Sequence, residues 1–403
     1  MSVGLAYTDA RGRIFFDEDR EPLADDGVIR LPQRDELIRA PQGTVTTMLP
    51  GRTPLLARGT ARGETALGVL LPAGFTRTLL PAYKRAAKAP TLPLFGYTFA
   101  AVVDDELQVA AMRTDESEDW QPRSFAPGEL EAAIARRQGL DPANRTLAQV
   151  AHCARDYGCF TAQNVFLERG EAAMPVSPRC NAACVGCISE LDGEAGIPSP
   201  QTRIAFEPEV VDLARIGIHH LERVEDGIVS FGQGCEGEPL LRGAIIERTI
   251  VAIRAARRNG TLNLNTNGSL PTILARLVDA GLQSVRISLN SFRPEVYAAY
   301  YRPTGYALAD VLESIALAVR GGLRVSLNYL THPGVTDAPE EVAAAEAFLR
   351  AHPVTMVQTR TLNIDPEVYF ARAGRPTAPL GMREALGRIE RLGVALGNFT
   401  HTH

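Results

Sequence analysis

Residues 261–292 read TLNLNTNGSLPTILARLVDAGLQSVRISLNSF, and the pattern in this stretch decides the fold. Two short runs suited to β-strands, 261–268 and 284–292, flank a helical run at 270–281. The same order of strand and helix recurs through the second half of the chain. Strands that alternate with helices pair in parallel through right-handed crossovers. We therefore predict an α/β fold, either an open parallel sheet or a barrel, and the barrel-like curl is the favoured form.

The repeating region contains six strand candidates separated by longer helical runs. The predicted strands are 173–178, 227–232, 261–268, 284–292, 323–330 and 355–363. The predicted helices are 208–224, 241–258, 270–281, 307–322 and 339–352. We assign residues 161–375 to this α/β core and residues 376–403 to a C-terminal helical tail.

The first part of the chain has a different character. Pro and Gly interrupt it, and its short β-like runs (12–16, 44–49, 97–103 and 107–112) suit antiparallel pairing. Helical spacing at 130–140 and 146–158 predicts two helices that close or bridge this part. We therefore expect residues 1–160 to form an α+β N-terminal domain, whose role in substrate or partner recognition is a hypothesis.

Composition limits the classes of protein that fit. The 403 residues include 42 basic and 47 acidic residues, so the net charge gives no indication of a nucleic-acid-binding face. The N-terminus lacks the pattern of a secretory signal, and no apolar run approaches the roughly 20 residues of a membrane span. We expect a cytoplasmic protein without a membrane partner.

Polar residues share one face of three neighbouring strands. Side chains alternate between the two faces of a strand, so every second residue points the same way. The polar sets are Asn263, Asn265 and Asn267; Arg286, Ser288 and Asn290; and Arg324, Ser326 and Asn328. Both faces of a parallel sheet are usually covered. These residues therefore predict a cavity that hydrogen-bonds a polar ligand, with a solvated sheet face as the alternative.

Three of the six cysteines, Cys180, Cys184 and Cys187, follow the first predicted strand within eight residues. The carboxyl ends of barrel strands carry active sites, so this position favours chemistry. A structural zinc site needs four ligands, and no second cysteine pair with such spacing follows. An iron-sulfur cluster held by three cysteines would leave one iron open to a small molecule. A zinc-binding module or a purely electron-transferring iron-sulfur protein, both without catalysis, are the alternatives.

The pattern C-x3-C-x2-C in CNAACVGC (180–187) resembles the signature of the radical S-adenosylmethionine (radical SAM) enzymes. The resemblance covers roughly residues 173–370. It implies a partial six-stranded (β/α)6 barrel, and a 4Fe-4S cluster whose fourth ligand is S-adenosylmethionine (SAM) itself. It also implies reductive cleavage of SAM to a 5'-deoxyadenosyl radical, hydrogen abstraction from a substrate, and a reductant such as flavodoxin or ferredoxin.

The resemblance also suggests residues that bind SAM. GQGCEGEPLL (232–241) resembles the family's Gly-Gly-Glu-Pro turn for the SAM amino group, and both Glu236 and Glu238 are candidate matches for its glutamate. The full set of predicted cofactor-binding residues is Gly234, Glu236, Gly237, Glu238, Asn265, Asn267, Ser288, Asn290 and Asn328. The residue before the third cysteine, often aromatic in the family, is Gly186, so adenine must be held by other groups.

Four further residues are candidates for catalysis at the predicted mouth of the barrel. Cys235 is a candidate hydrogen-atom donor or anchor for an intermediate, or simply a small residue that fits. Arg302 is a candidate partner for an anion, and Gln358 and Arg360 share a face of the sixth strand. Cys153 and Cys159 are interpreted as buried thiols, with a redox or substrate role as the alternative. The substrate, whether a small molecule or a peptide, is not identified by the sequence.

Overall fold

A computed structural model describes residues 3–116, 127–191, 193, 196–233 and 235–398 of the chain. Its centre is a parallel sheet of seven strands in the order of the chain. These strands are β14 (Glu171–Met174), β15 (Ile228–Phe231), β16 (Thr261–Thr266), β17 (Ser284–Leu289), β18 (Arg324–Thr331), β19 (Met356–Thr361) and β20 (Ala395–Gly397). The first six correspond to the six predicted strands. The α/β fold is thereby confirmed.

Helices cross between these strands on the outer side of the sheet. They are α4 (Val210–Arg223), α5 (Gly243–Ala256), α6 (Pro271–Asp279), α7 (Pro294–Tyr301), α8 (Leu308–Arg320), α9 (Pro339–Ala351), α10 (Pro366–Ala373) and α11 (Met382–Glu390). Proline occupies the first turn of α6, α7, α9 and α10, where its missing N–H costs no hydrogen bond. The apolar strand face packs against these helices, and Val285, Ile287 and Leu327 are fully buried there.

The sheet is curled, and a buried ion pair demonstrates the curl. Arg286 on β17 contacts Glu171 on β14 at 3.2 Å, although two strands lie between them. Both side chains are almost completely buried, and they meet on the inner face of the sheet. The fold is therefore the partial barrel that the sequence predicted, extended by one strand.

The seventh strand is an addition that the sequence did not predict. The segment 376–403 was expected to be a helical tail; it contains α11, but residues 395–397 then pair in parallel with residues 356–358 of β19. A strand of three residues carries too little periodicity to be recognised in a sequence. Residues 399–403 of the expected tail lie outside the described residues.

The N-terminal part is a set of antiparallel strands. They are β1 (Gly4–Thr8), β2 (Ile14–Asp17), β3 (Ala24–Asp25), β4 (Ile29–Arg30), β5 (Leu37–Arg39), β6 (Val45–Met48), β7 (Arg52–Pro54), β8 (Thr65–Leu70), β9 (Phe75–Arg77), β10 (Leu80–Pro81), β11 (Tyr83–Arg85), β12 (Ala100–Val103) and β13 (Glu106–Arg113). A 3-10 turn covers Arg34–Glu36. The largest sheet has eight strands, with the path β5-β13-β12-β1-β8-β6. The predicted strand-rich character of this part is confirmed.

Three helices connect the two sheets: α1 (Pro127–Leu140), α2 (Arg145–Asp156) and α3 (Phe160–Leu167). Asn144 caps α2 by accepting a hydrogen bond from the Leu147 amide at 2.8 Å. Their buried side chains, including Ile134, Val150 and Phe166, belong to the same hydrophobic core as the parallel strands. These helices therefore share a hydrophobic core with the barrel. The boundary at residue 160 between the two predicted domains stays a prediction.

Buried polar contacts join the N-terminal strands to β19 and to the segment between β19 and α10. Arg77 donates to the Leu362 carbonyl at 2.9 Å, and Thr76 donates to Thr359 at 2.7 Å. Arg52, fully buried, pairs with Asp365 at 2.7 Å. No helix among the described residues combines the length and the apolar character that crossing a bilayer would require.

The Arg52–Asp365 pair supplies a test of this interface. Arg52→Met leaves a buried carboxylate without its cation, and we expect the free energy of unfolding to fall by about 3–5 kcal/mol. Arg39→Met is the matched control, because the Arg39–Glu106 pair is 77% and 47% exposed and should contribute less than about 1 kcal/mol. Denaturant unfolding of both variants measures the difference. Equal losses would show that the buried pair does not fasten the interface.

Candidate active site

The three clustered cysteines lie on the loop that follows β14, at the carboxyl edge of the parallel sheet. Backbone hydrogen bonds fix this loop to the end of α7: the Ala183 amide donates to the Tyr301 carbonyl at 3.1 Å, and the Val185 amide to the Tyr300 carbonyl at 3.0 Å. The loop is therefore held in place by residues more than a hundred positions away in the sequence.

A cavity of about 730 Å³ opens beside this loop. All three cysteines line it, as do loops from the ends of the following strands. The predicted residues that line it are Cys180, Cys184, Cys187, Glu236, Gly237, Glu238, Asn265, Asn267, Ser288, Asn328 and Arg360. The polar strand face predicted from the sequence thus contributes to the wall of one cavity.

The turn after β15 is packed directly against the cysteine loop. The amide of Gly237 donates to the Ser177 carbonyl, and the amide of Glu238 donates to the Arg179 carbonyl, both at 2.8 Å. A Cβ on Gly237 would lie 2.0 Å from the Arg179 oxygen, so only glycine fits there. This close approach sets the turn beside Cys180.

The two candidate glutamates of this turn have different partners. Glu236 accepts hydrogen bonds from the amides of Val176 and Ser177, both at 2.9 Å, through one oxygen. Its other oxygen is buried without a partner among the described residues. Burial raises the pKa of Glu236 well above its ordinary value. One oxygen of this carboxyl is therefore available to a ligand.

Glu238 is saturated by protein donors. It accepts from the amides of Leu240 at 2.9 Å and Asn267 at 2.8 Å, and from the hydroxyl of Thr266. Burial raises the pKa of Glu238 to about 7. This carboxyl joins the turn after β15 to the loop after β16, so its contacts are those of a positioning residue.

Three asparagine side chains at the cavity have two different roles. Asn267 donates to Asn181 at 2.9 Å and accepts from the Ser269 amide, so it braces the cysteine loop. Asn265 and Asn328 each donate once, to the Phe231 carbonyl and to Ser288. Their carboxamide oxygens are buried without partners among the described residues. A buried acceptor without a donor is costly, so these oxygens are suited to a polar ligand.

Five predicted site residues lie elsewhere or outside the described chain. Asn290 donates to the Val296 carbonyl and to Tyr369, because β17 ends at Leu289 and the alternation of faces ends with it. Gln358 is fully buried deeper in β19 and does not line the cavity, and Cys235 is buried in the core. Arg302 lines a separate cavity of about 510 Å³. Gly234 lies outside the described residues.

Several residues that line the cavity were not predicted. Arg203 lies 3.8 Å from the Cys187 sulfur and pairs with Glu190. Tyr300 stands over Gly186, its hydroxyl 3.0 Å from where a Cβ would lie. Leu71, Pro72, Ala73 and Phe75 of the N-terminal part also line the cavity, and so does Asn398. The sequence carries no local signal for these residues, since their positions depend on contacts between distant segments.

Below the cavity, a buried polar network fills the inner face of the strands. Glu171 accepts from Ser230, from Gln233 at 3.1 Å and from Arg286. Burial acts to raise the pKa of Glu171, but Arg286 and these hydrogen bonds hold it below its ordinary value. An acidic residue at the start of a buried strand was a signal of this network in the sequence.

The three thiols of the cysteine loop are the side chains on this cavity that suit a metal centre, since thiolates are the ligands of 4Fe-4S clusters. Among the described residues, no group of three or more His, Cys, Asp and Glu side chains is placed to hold a single metal ion. Burial raises the pKa of Cys180 to about 11, so a cationic cluster must displace its proton.

Comparison with known proteins agrees with this geometry. The Radical SAM superfamily model matches residues 174–345. A GTP 3',8-cyclase of Streptomyces coelicolor is 28% identical over 205 residues, which cover 50% of this chain and 56% of that protein. A probable GTP 3',8-cyclase of Aeropyrum pernix is 35% identical over 165 residues, covering 40% and 43%. The FeMo cofactor biosynthesis protein NifB of Klebsiella pneumoniae is 28% identical over 251 residues, covering 57% and 51%.

The chain spans about half the length of these relatives. The matched region contains the cysteine loop, the turn after β15 and the polar ends of β16, β17 and β18. A 4Fe-4S cluster and SAM are the cofactors of this family, as the resemblance implied. Residues 174–345 of the chain therefore match the Radical SAM superfamily of enzymes.

Proposed function

We propose that the chain reductively cleaves SAM at a 4Fe-4S cluster and directs the resulting radical to a substrate that is bound in the same cavity. The observation that carries the proposal is the meeting of Cys180, Cys184 and Cys187 with the turn at Gly237 on one cavity. Bound together, the reduced cluster and SAM supply a 5'-deoxyadenosyl radical that abstracts a hydrogen atom. The substrate is a small molecule or a peptide, and a reductant such as flavodoxin or ferredoxin supplies the electron.

Different residues of the chain hold the cluster, bind SAM and position the loops. The three cysteines hold the cluster, and Arg203 places a cation beside the Cys187 sulfur. The unpaired oxygens of Asn265 and Asn328 are acceptors for the amino and hydroxyl groups of SAM, and the carboxyl of Glu236 is a further polar group on the same cavity. Asn267 and Glu238 position the loops that carry these groups.

Tyr300 supplies the aromatic surface that Gly186 lacks. Its ring atom Cε2 lies 3.4 Å from the position of a Cβ on Gly186, and both residues line the cavity. A large side chain at position 186 would collide with this ring. We therefore assign Tyr300 to the adenine side of the site, together with Leu330 on β18.

The N-terminal strands add an apolar wall to the polar cavity. Leu71, Pro72 and Phe75 line it from outside the barrel, whereas the strands of the barrel contribute mainly polar side chains. A substrate in this space would contact both parts of the chain. We propose that the N-terminal domain takes part in substrate recognition through this segment.

Each of the three loop cysteines should be required for the cluster. Cys180→Ala, Cys184→Ala and Cys187→Ala should each abolish the cluster and the formation of 5'-deoxyadenosine from SAM, because each removes a thiolate ligand. Cys159→Ala is the control, since its thiol lies outside the loop, and it should keep both properties. Iron and sulfide analysis after anaerobic reconstitution, followed by chromatography of the reduced reaction with SAM, measures the two effects. Formation of 5'-deoxyadenosine by the three loop variants would refute the proposal.

The turn beside Cys180 should be required for SAM binding. Gly237→Ala should lower SAM affinity at least about tenfold, because the new Cβ must push the turn away from the Arg179 carbonyl. Gly139→Ala, at a helical position where a Cβ meets nothing within 4 Å, is the matched control. Equilibrium binding of SAM to the reconstituted proteins measures the effect. Wild-type affinity in Gly237→Ala would show that the turn does not bind SAM.

The stability of the chain should depend on pH through Glu238. Glu238 has a pKa of about 7 in the folded chain and an ordinary value of 4.5, so the folded state binds more protons between these values. The free energy of unfolding should therefore fall as the pH rises from about 5 to about 8. In Glu238→Gln this decrease in the free energy of unfolding should be smaller by about 3 kcal/mol. Denaturant unfolding at several pH values measures it, with the exposed Glu313→Gln as control, and an unchanged slope in Glu238→Gln would contradict the assignment.

A further inference from the structure

The strand β2 of the N-terminal part has an open edge. It pairs antiparallel with β1, from Leu5 opposite Asp17 to Thr8 opposite Ile14. The other side of β1 is taken by β12 and β8. No strand among the described residues pairs with the outer edge of β2. An open edge presents a row of backbone donors and acceptors that a further strand can use.

The hydrogen bonds of the preceding turn show which backbone groups face this edge. The Asp9 amide donates to the Arg13 carbonyl at 3.0 Å, so this carbonyl points toward β1. The backbone groups of successive residues in a strand alternate between its two edges. Those of Phe15, which is paired with β1, therefore point inward as well. The N–H and C=O groups of Ile14 and Phe16 point toward the open edge.

Apolar side chains on both faces of β2 are exposed. Ile14, Phe15 and Phe16 are between 37% and 45% exposed. The ring of Phe15 stacks on Tyr7 at a centroid distance of 5.5 Å, and Ile14 and Phe16 lie on the opposite face. Natural proteins usually protect an edge strand with charged residues, proline or short length. Three adjacent exposed apolar residues at an open edge are instead suited to contact with a partner strand.

The charges before and after this apolar centre have opposite signs. In RGRIFFDED (11–19), Arg11 and Arg13 precede the centre, and Asp17 and Asp19 follow it. If two copies pair antiparallel about Phe15, Arg13 lies opposite the partner's Asp17. Parallel pairing in register would place like charges opposite each other, which is destabilising. The strand is therefore complementary to itself in the antiparallel direction.

We propose that two copies of the chain form a symmetric dimer by pairing their β2 strands antiparallel, with the two Phe15 side chains facing each other at the twofold axis. In this register Ile14 lies opposite the partner's Phe16. Both residues have their backbone groups at the open edge, so each of the symmetry-related pairs exchanges both of its N–H···O bonds. Because the interface is isologous, each contact occurs twice. Dimer formation is independent of the proposed function.

The charged residues that would pair across the dimer are accessible. Arg13 already pairs with Asp9, and Asp17 with Arg20, within the chain. Their side chains nevertheless stay 67% and 30% exposed. Arg13 and Asp17 can therefore contact a second copy without losing these partners.

Sedimentation velocity of the anaerobically reconstituted chain, over a range of concentrations, tests the inference. The mean mass should rise toward that of a dimer, with a dissociation constant on the order of 10 μM. Phe16→Lys should raise this constant at least about tenfold, because it places a charge at the apolar centre of each strand. Val45→Lys is the matched control and should dimerise like the wild type, since Val45 is 55% exposed on β6, at the end of the same sheet.

A proline at the open edge tests the backbone contacts. Phe16→Pro removes an amide donor that faces the edge and leaves the hydrogen bonds between β2 and β1 in place. It should therefore abolish the dimer while the circular dichroism spectrum stays that of the wild type. A folded Phe16→Pro variant that dimerises like the wild type would overturn the inference.

Charge variants test the antiparallel register. Arg13→Glu and Asp17→Arg each place like charges opposite each other in a homodimer, so each should dimerise at least about tenfold more weakly. An equimolar mixture of the two should form a mixed dimer, because one variant has acidic residues and the other basic residues at both positions. A mixture that associates no better than its components would overturn the inference. So would a wild-type chain that stays monomeric at about 200 μM, which would leave the edge to a strand of a different protein.

Discussion

The carboxylate of Glu238 is the interaction on which the arrangement of the site depends. It accepts hydrogen bonds from its own turn and from the loop after β16, at Leu240, Thr266 and Asn267. Asn267 also donates a hydrogen bond to Asn181, the residue next to Cys180, so the cysteine loop is held in the same network. Three loops at the carboxyl edge of the sheet are thereby joined through one buried acid. A buried carboxyl without hydrogen-bond donors would be strongly destabilising, so Glu238 needs the donors on these loops. The loops in turn are held together by their hydrogen bonds to Glu238.

The curl of the sheet determines what kind of space lies below these loops. The ion pair between Glu171 and Arg286 crosses the inner face, and Ser230, Asn263 and Gln233 surround it. An interior filled with Val and Leu would leave no room for polar ligands. Here the buried ion pair and the unpaired amide oxygens of Asn265 and Asn328 make the interior polar. The apolar side chains of Leu71, Pro72 and Phe75 from the N-terminal part line the cavity as well.

The sequence was informative where structure is local and periodic. Alternation along β17 and β18 predicted that Ser288 and Asn328 share a polar face, and both line the cavity, because side chains of a regular strand keep a period of two. The same argument failed at Asn290, one residue beyond the end of β17. Cys235 was expected at the mouth of the barrel, yet its side chain is buried in the hydrophobic core. Arg203, Tyr300 and the segment at Leu71 could not be found, since only the tertiary fold brings them to the cavity.

The contacts of Asn398 join segments that are far apart in the sequence. Asn398 bonds to Gly74, Asp115 and Thr359, and 324, 283 and 39 positions separate it from them. During synthesis the N-terminal strands leave the ribosome long before β19 and β20 exist, so this side of the cavity stays open until late. The cluster loop, by contrast, is pinned by α7 and can form earlier. The wall of the cavity that the N-terminal strands supply is therefore completed by contacts with the last strand of the parallel sheet.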